Sequence, residues 1–213
     1  YSVHGAIVTR RPARVDSTID LAGGYVVPPF GEAHNHNLDG IDAAARIRAY
    51  LAAGIYYVKN PGNVPRARAQ VAAASPPATV DAAFANGGFT GPGGHPAELV
   101  RRSIEKGTFT EADGEGAYYY TVSTPADLDR AWSALIATRP DFVKAYLLYS
   151  EDYAARRDDA AFAGRRGLDP ALLPEIVRRA HRAGLRVTTH VETAADFRAA
   201  VGAHVDEIAH VPG

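Results

Sequence analysis

Cysteine is absent from this 213-residue chain, and disulfides, thiolate metal sites and a cysteine nucleophile are absent with it. The redox compartment stays open, because there is no thiol left to report on it. Methionine is absent too, and the sequence starts at Tyr1, so a processed product or a piece of a longer chain is expected. No run approaches the roughly 18 consecutive apolar residues of a membrane-spanning helix, so no span is expected. Charge of one sign is also missing. The formal net charge is −1, with Arg and Lys interspersed among Asp and Glu, which leaves no basic footprint for nucleic acid. What remains is an ordinary globular composition, 46% apolar and 22% charged, that suits a small-molecule partner. Homo-oligomerisation and compartment, whether cytoplasmic, periplasmic or secreted, are left open.

Three short runs, Gly5–Arg10, Ser17–Leu21 and Tyr25–Phe30, are β-branched or aromatic and bounded by Gly, Pro or Asp, which predicts strands. Beyond them the texture alternates. Helices are expected at Ala43–Ala53, Pro96–Lys106, Pro125–Thr138, Pro170–Ala183 and Ala194–Val201, with strands at Ile55–Lys59, Thr79–Phe84, Asp141–Leu148, Leu185–Val191 and Val205–His210. Ser123-Thr124-Pro125 offers a cap followed by proline at the first helical position, and Ala183-Gly184 supplies a left-handed stop. Strand–helix alternation is the pattern of a parallel sheet with helical crossovers. With Tyr25–His36 as the first strand there are six, where a (β/α)8 barrel has eight. Gly87–Gly94 is glycine-rich, but it lacks the Lys-Ser/Thr ending of a phosphate loop and does not open onto a helix in register, so nucleotide binding is rejected.

The chemistry sits at strand ends. His34 and His36 are two apart and project from one face of a strand, a two-imidazole clip for a metal or, more plainly, two histidines hydrogen-bonding locally at a loop entry. Lys144 falls in the middle of the apolar strand Asp141–Leu148. A lysine there must be paired, neutral or modified, unless the strand lies at an edge and the side chain snorkels to solvent. With its pKa pulled down, the free amine can add CO2 and become an anionic carbamate able to bridge two metals. His190 and His210 close the last two strands. His95, after Gly93-Gly94, is a candidate for lining a site from the loop beyond the third strand, and Tyr149, with Ser150, for touching a substrate. His4 is expected in the short leading strand, His181 and His204 read as exposed, and Tyr118–Tyr120 as aromatic packing or a loop cover.

In the order and spacing of these segments the sequence resembles the amidohydrolase superfamily. Ile19–Phe30 followed by His34-Asn35-His36 is similar to that family's entry from a small β-sandwich into the first barrel strand. His190–Phe197 and then Val205–His210 resemble its fifth and sixth strands in the imidazolonepropionase and Xaa-Pro dipeptidase-like branch. The resemblance implies an incomplete TIM-type barrel of about six βα units over 25–213, preceded by a remnant of the accessory sandwich over 1–24. It implies two divalent ions, zinc by expectation: His34 and His36 on the first, His190 and His210 on the second, and Lys144 as a CO2-derived carbamate between them. Lys144, His190 and His210 then count as catalytic, and His95 and Tyr149 as substrate-binding. The implied activity is cleavage of an amide, cyclic amide, peptide-like or ester bond of a small substrate by a metal-bridged hydroxide. The family's last ligand, an aspartate ending an eighth strand, has no counterpart here, so these residues alone are expected to be inactive. The first strand also reads Pro-Pro-Phe-Gly-Glu where relatives have Pro-Gly-Phe and an Asp before the first His. Two other readings stand beside this one: a mononuclear deaminase-like member that does not need Lys144, and a non-catalytic metal-binding protein.

Overall fold

The computed structural model describes residues 1–38, 42–74 and 79–212; Gly213, the end of the expected barrel segment, lies outside them. A small antiparallel hairpin, β1 (Ser2–Val3) with β2 (Ala6–Ile7), comes first. The alternating part then runs β3 (Phe30–Glu32), α1 (Ala43–Ala52), β4 (Ile55–Asn60), α2 (Ala67–Ala74), β5 (Asp81–Phe84), β6 (Gly88–Thr90) and α3 (Ala97–Glu105). It continues through β7 (Tyr119–Thr121), α4 (Pro125–Ala137), β8 (Val143–Tyr146), α5 (Tyr153–Arg156), α6 (Leu173–Arg182), β9 (Val187–His190), α7 (Ala194–Gly202) and β10 (Glu207–Ile208). None of the described helices is long and apolar enough to cross a membrane.

Every pairing beyond the hairpin is parallel. One sheet has the order β3-β4-β5 and the other β10-β9-β8-β6-β7. The two are stitched where β5 passes into β6: the Asp141 N–H donates to the Phe84 carbonyl at 2.8 Å and the Ala85 N–H to Asn60 at 3.2 Å. The bend between β5 and β6 uses two residues at positive φ, Asn86 and Gly87. At Gly87 a side chain is excluded, since a Cβ there would stand 2.6 Å from the Ala117 carbonyl.

Helices cover one face of each sheet. α6 presents Leu173, Ile176, Val177 and Ala180, the i, i+3, i+4, i+7 stripe of an amphipathic helix. Together with Leu128 and Leu135 of α4 they pack on Phe89, Val143 and Val187 as the larger core. A second core joins Ile47 and Val71 of α1 and α2 to Val58, Val80 and Phe84. Full burial of one such side chain contributes roughly 1.5–3 kcal/mol. α4 and α7 start with reciprocal caps in which Thr124 or Thr193 accepts from the backbone of Asp127 or Asp196, whose carboxylate accepts in return.

The expected helices stand within a few residues of their predicted bounds, four of the five strands predicted after the first helix contain β5, β8, β9 and β10, and β4 runs one residue past its predicted end. Four corrections follow. Ser17–Leu21 and Tyr25–Pro29 form no strand: Ile19 and Tyr25 are 80% and 91% exposed, and a strand-forming sequence without a ladder partner stays extended coil. The first parallel strand therefore begins at Phe30, not Tyr25. Gly5–Arg10 shrinks to β2. Helix α2 was not expected, since its alanine-rich sequence has helix propensity but little pattern. Strands β6 and β7 lie in segments that read as a glycine loop and as aromatic packing.

Candidate active site

Lys144 lies at the middle of β8, opposite Gly88 of β6 and Thr188 of β9. Gly88 leaves it room, because a Cβ at that position would come within 2.9 Å of the Lys144 Cγ and 2.6 Å of the Tyr146 ring. The lysine is 1% exposed and its Nζ has no hydrogen-bond partner among the described residues. Burial, and secondarily the charge of Lys59, pulls its pKa down to about 7. Half or more of a population of such amines is uncharged at and above neutral pH.

Around that amine stand the strand-end histidines. His34 and His36 follow β3, and their Nε2 atoms face each other at 2.9 Å. The outer nitrogen of His34, Nδ1, lies 3.3 Å from the Ala209 carbonyl, and His36 is held by the backbone of Gly62. On the other side His210 Nε2 faces His190 Nδ1 at 2.8 Å, while His190 Nε2 meets Glu192 Oε1 at 3.0 Å and His210 Nδ1 meets the Val211 carbonyl at 3.5 Å. The two pairs adjoin, with ring centroids of His34 and His210 at 5.9 Å.

Protonation follows from those partners. Burial first, then the charge of Lys144, lowers His34 to about 4, and the same two causes lower His36. Burial, then His95 and Lys144, pulls His190 far down as well. These rings are neutral at pH 7 and carry one N–H each. A ring nitrogen set against a carbonyl or carboxylate oxygen must be the one with the hydrogen. The inner nitrogens of His34 and His36 are therefore both acceptors, lone pair toward lone pair, and His190 turns its Nδ1 lone pair toward His210 Nε2. Among the described residues the imidazoles group two and two; no set of three or more His, Asp or Glu side chains is arranged as a metal shell.

His95, from the loop after β6, stacks on His190 with centroids 4.9 Å apart and meets the edge of Tyr146 at 5.3 Å. Burial, followed by Lys144, lowers its pKa to about 4. The structure thus gathers His34, His36, His95, His190 and His210 beyond or at the carboxyl ends of β3, β6, β9 and β10, around Lys144 within β8. Tyr149, the other expected substrate contact, takes a left-handed backbone (φ 54°) and its ring is covered by the Arg156 guanidinium at 3.6 Å. His181 stands apart, paired with Asp206 at 2.9 Å.

Four residues with parts in this arrangement were not legible as such. Glu192 orients His190. Asn60, with its amide nitrogen turned toward them, donates to the carbonyls of Asn35 (2.8 Å) and Gly62 (2.9 Å) and so holds the His-Asn-His turn. Lys59 crosses the interior from β4, donating to Thr188 Oγ1 at 2.8 Å and pairing with Glu207 of β10. Asp196, fully buried, accepts the N–H groups of Tyr149, Ser150, Glu192 and Thr193 at 2.8–3.0 Å, tying the loop after β8 to the turn after β9. An acid two residues beyond a strand-end histidine and a capping box after it were the available signals for Glu192 and Asp196; nothing local marks Lys59 or Asn60.

No protein-family model and no curated protein matches the sequence. Solved structures do match. They include the Aspergillus niger (A. niger) ochratoxinase, with TM-score 0.61 at 15% identity over 85% of this chain and 46% of that one. A Xaa-Pro dipeptidase with methionine bound in its active site gives 0.61 at 14% over 85% and 47%. An amidohydrolase gives 0.61 at 18% over 91% and 52%. The chain spans about half the length of these structures. Identity this low speaks to architecture alone, and on it the chain shares the fold of these structures, mixed α/β and built on parallel strands.

Proposed function

We propose that residues 25–213 form about six βα units of a metal-dependent hydrolase barrel, and that residues 1–24 belong to a small accessory β-sandwich. The reaction is hydrolysis of a C–N bond, amide, cyclic amide or peptide-like, or of an ester, in a small substrate. The observation that carries this reading is the facing lone pairs. Two neutral imidazoles with acceptor nitrogens 2.9 Å apart repel unless a cation joins them, and beside them the Nδ1 lone pair of His190 is turned toward His210 Nε2 at 2.8 Å. Such nitrogens suit zinc, though other divalent first-row ions share the preference.

Two imidazoles are fewer than the three or four protein ligands that zinc takes. Lys144 would supply the rest. Its neutral amine would add the carbon of CO2 through a new C–N bond and give up one proton to water, and the resulting carbamate would offer anionic oxygen ligands. An uncharged, unpaired amine buried next to four imidazoles suits that modification and has no other evident use. Two cations held there would lower the pKa of a shared water toward neutrality and polarise the substrate carbonyl. The chain's own residues do the positioning. Glu192 accepts the Nε2 proton of His190 and so keeps its Nδ1 free to ligate, as carbonyl and carboxylate partners do for metal-bound histidines. Asn60 fixes the turn between His34 and His36. His95, neutral and stacked on His190, offers a ring edge to substrate. The likeness to a Xaa-Pro dipeptidase favours peptide-like substrates.

Metal analysis of the protein with and without bicarbonate, combined with a hydrolysis screen over dipeptides, N-acyl amino acids and lactams, tests the proposal. The expected result is two ions per chain, higher occupancy with bicarbonate, and loss of both ions in Lys144→Ala. Metal content and turnover unaffected by Lys144→Ala would overturn the carbamate assignment. A single ion per chain would point to the mononuclear deaminase-like reading.

A further inference from the structure

The glycine-rich segment 87–94 lacks the Lys-Ser/Thr ending of a phosphate loop, and the hydrolytic reading does not explain it. Its contacts do. The loop after β6 lies against the segment 164–168 that returns toward α6. Gly164 N–H donates to the Gly93 carbonyl at 2.8 Å, His95 N–H to the Arg166 carbonyl at 2.9 Å, and Leu168 N–H to the Tyr146 carbonyl at 2.7 Å. The Arg166 guanidinium adds Nη1 to the Pro92 carbonyl at 3.2 Å and Nη2 to the Asp159 carbonyl. The backbones meet so closely that side chains are excluded on both sides. A Cβ on Gly94 would stand 2.7 Å from the Arg166 carbonyl and 2.5 Å from Thr90 Oγ1. A Cβ on Gly91 would collide with the Gly167 carbonyl, and one on Gly167 with the backbone of Leu148. Glycine at 91, 94 and 167 is therefore what allows two loops from different strands to interlock.

We propose that this interlock is a clasp that seats His95 on the imidazole cluster, and that Arg166 is its positioning residue. The inference rests on the hydrolytic reading only for the work His95 does; the clasp itself is a matter of geometry. His95 leaves the clasp directly into the site, hydrogen-bonded at its own backbone to Arg166 and stacked on His190. Arg166 touches the neighbouring loop through both its carbonyl and its guanidinium, so truncating it loosens the loop while leaving every imidazole in the sequence. A displacement of about 1 Å in a group that orients substrate lowers turnover by up to roughly 100-fold.

Arg166→Ala, Arg166→Lys and Gly167→Ala, each also made with His95→Ala, test this by two readouts on the whole chain. Hydrogen exchange should show the His95 amide exposed in Arg166→Ala and Gly167→Ala, with β8 and β9 amides still protected, and partly re-protected in Arg166→Lys. The kcat/KM of Arg166→Ala should fall by about 10- to 100-fold, and should not fall further when His95 is already alanine. Unchanged exchange at His95, or full additivity with His95→Ala, would overturn the clasp. If exchange responds as expected while neither the variants nor the parent, all carried in the full-length protein, hydrolyse any substrate, the clasp stands and the hydrolytic reading falls.

Discussion

The two imidazole pairs rest on unlike ground. His190 closes β9, whose Val187, Thr188 and Thr189 are buried, and β9 lies against β8, buried at every residue over the larger core. His34 and His36 follow β3, a three-residue strand exposed at Phe30 and Gly31 that shifts register against β4. Packing places His190, while His210, exposed after the two-residue β10, reaches the site beside it; hydrogen bonds with Asn60, Gly62 and Ala209 place the first pair. A buried strand over a close-packed core has few alternatives, because any shift opens a void or a clash. A turn held by a few polar contacts can be lost locally without unfolding the rest. The difference teaches that a shared ligand would do more to order the first half than the second. Lys144 belongs to the well-packed half and reaches the space between both.

The sharpest way to break the contrast is to remove that lysine. Lys144→Met should abolish turnover by at least about 1,000-fold, the scale lost when one member of a group acting as a unit is removed, and metal should be lost from both pairs. The fold should survive with a melting temperature equal to or above that of the metal-free parent, since a buried amine without a partner costs stability and a similar apolar chain does not. Calorimetry of the metal-free proteins checks this. A large drop would mean that Lys144 holds the fold together. The halves themselves are compared by Phe89→Ala and Phe30→Ala. Phe89 is fully buried and its truncation should cost about 3–5 kcal/mol. Phe30 is 61% exposed and should cost no more than about 1 kcal/mol. Equal losses in denaturant titrations would show that the β3 side is as well packed as the β8 side.

The same contrast governs what could be read in the sequence. Where burial dictates residue type the pattern is plain: Val143-Lys144-Ala145-Tyr146 and Val187-Thr188-Thr189-His190 announce strands because apolar neighbours on both faces leave a polar residue conspicuous. The alternation of helices with these strands marked the parallel layout, and the strand ends marked His34, His36, His190 and His210, which the fold brings together near Lys144 of β8. Where structure depends on a partner far along the chain, the pattern misleads. Ile19 and Tyr25 look like strand residues, but no edge receives them. Gly88–Thr90 is a strand because β7 and β8 flank it, and its glycine is required by Lys144 and Tyr146, contacts that no local window contains. His95 became a member of the cluster through a loop 70 residues further on, and Lys59 through Glu207, 148 residues away.

A smaller effect separates the halves by pH. Asp196 is buried, which alone would raise its pKa, but hydrogen bonds from Ser150, Glu192 and Thr193 outweigh burial and hold it below the usual carboxylate value. A group whose pKa is lower folded than unfolded contributes stability in full above the unfolded value, about 3.9 for aspartate, and loses it as pH falls through the folded value. Asp196→Asn should therefore cost about 2 kcal/mol at pH 7, the scale of buried donors facing a poorer acceptor, and the loss should shrink as pH falls below about 4, where the parent carboxylate is itself being protonated. The variant should also unsettle His190 and His210 more than His34 and His36, because Asp196 ties the loop after β8 to the turn that carries Glu192. Histidine resonances followed through an acid titration distinguish the pairs. Equal broadening of all four, or a stability loss that stays constant down to pH 3, would show that the carboxylate does not set the second pair apart.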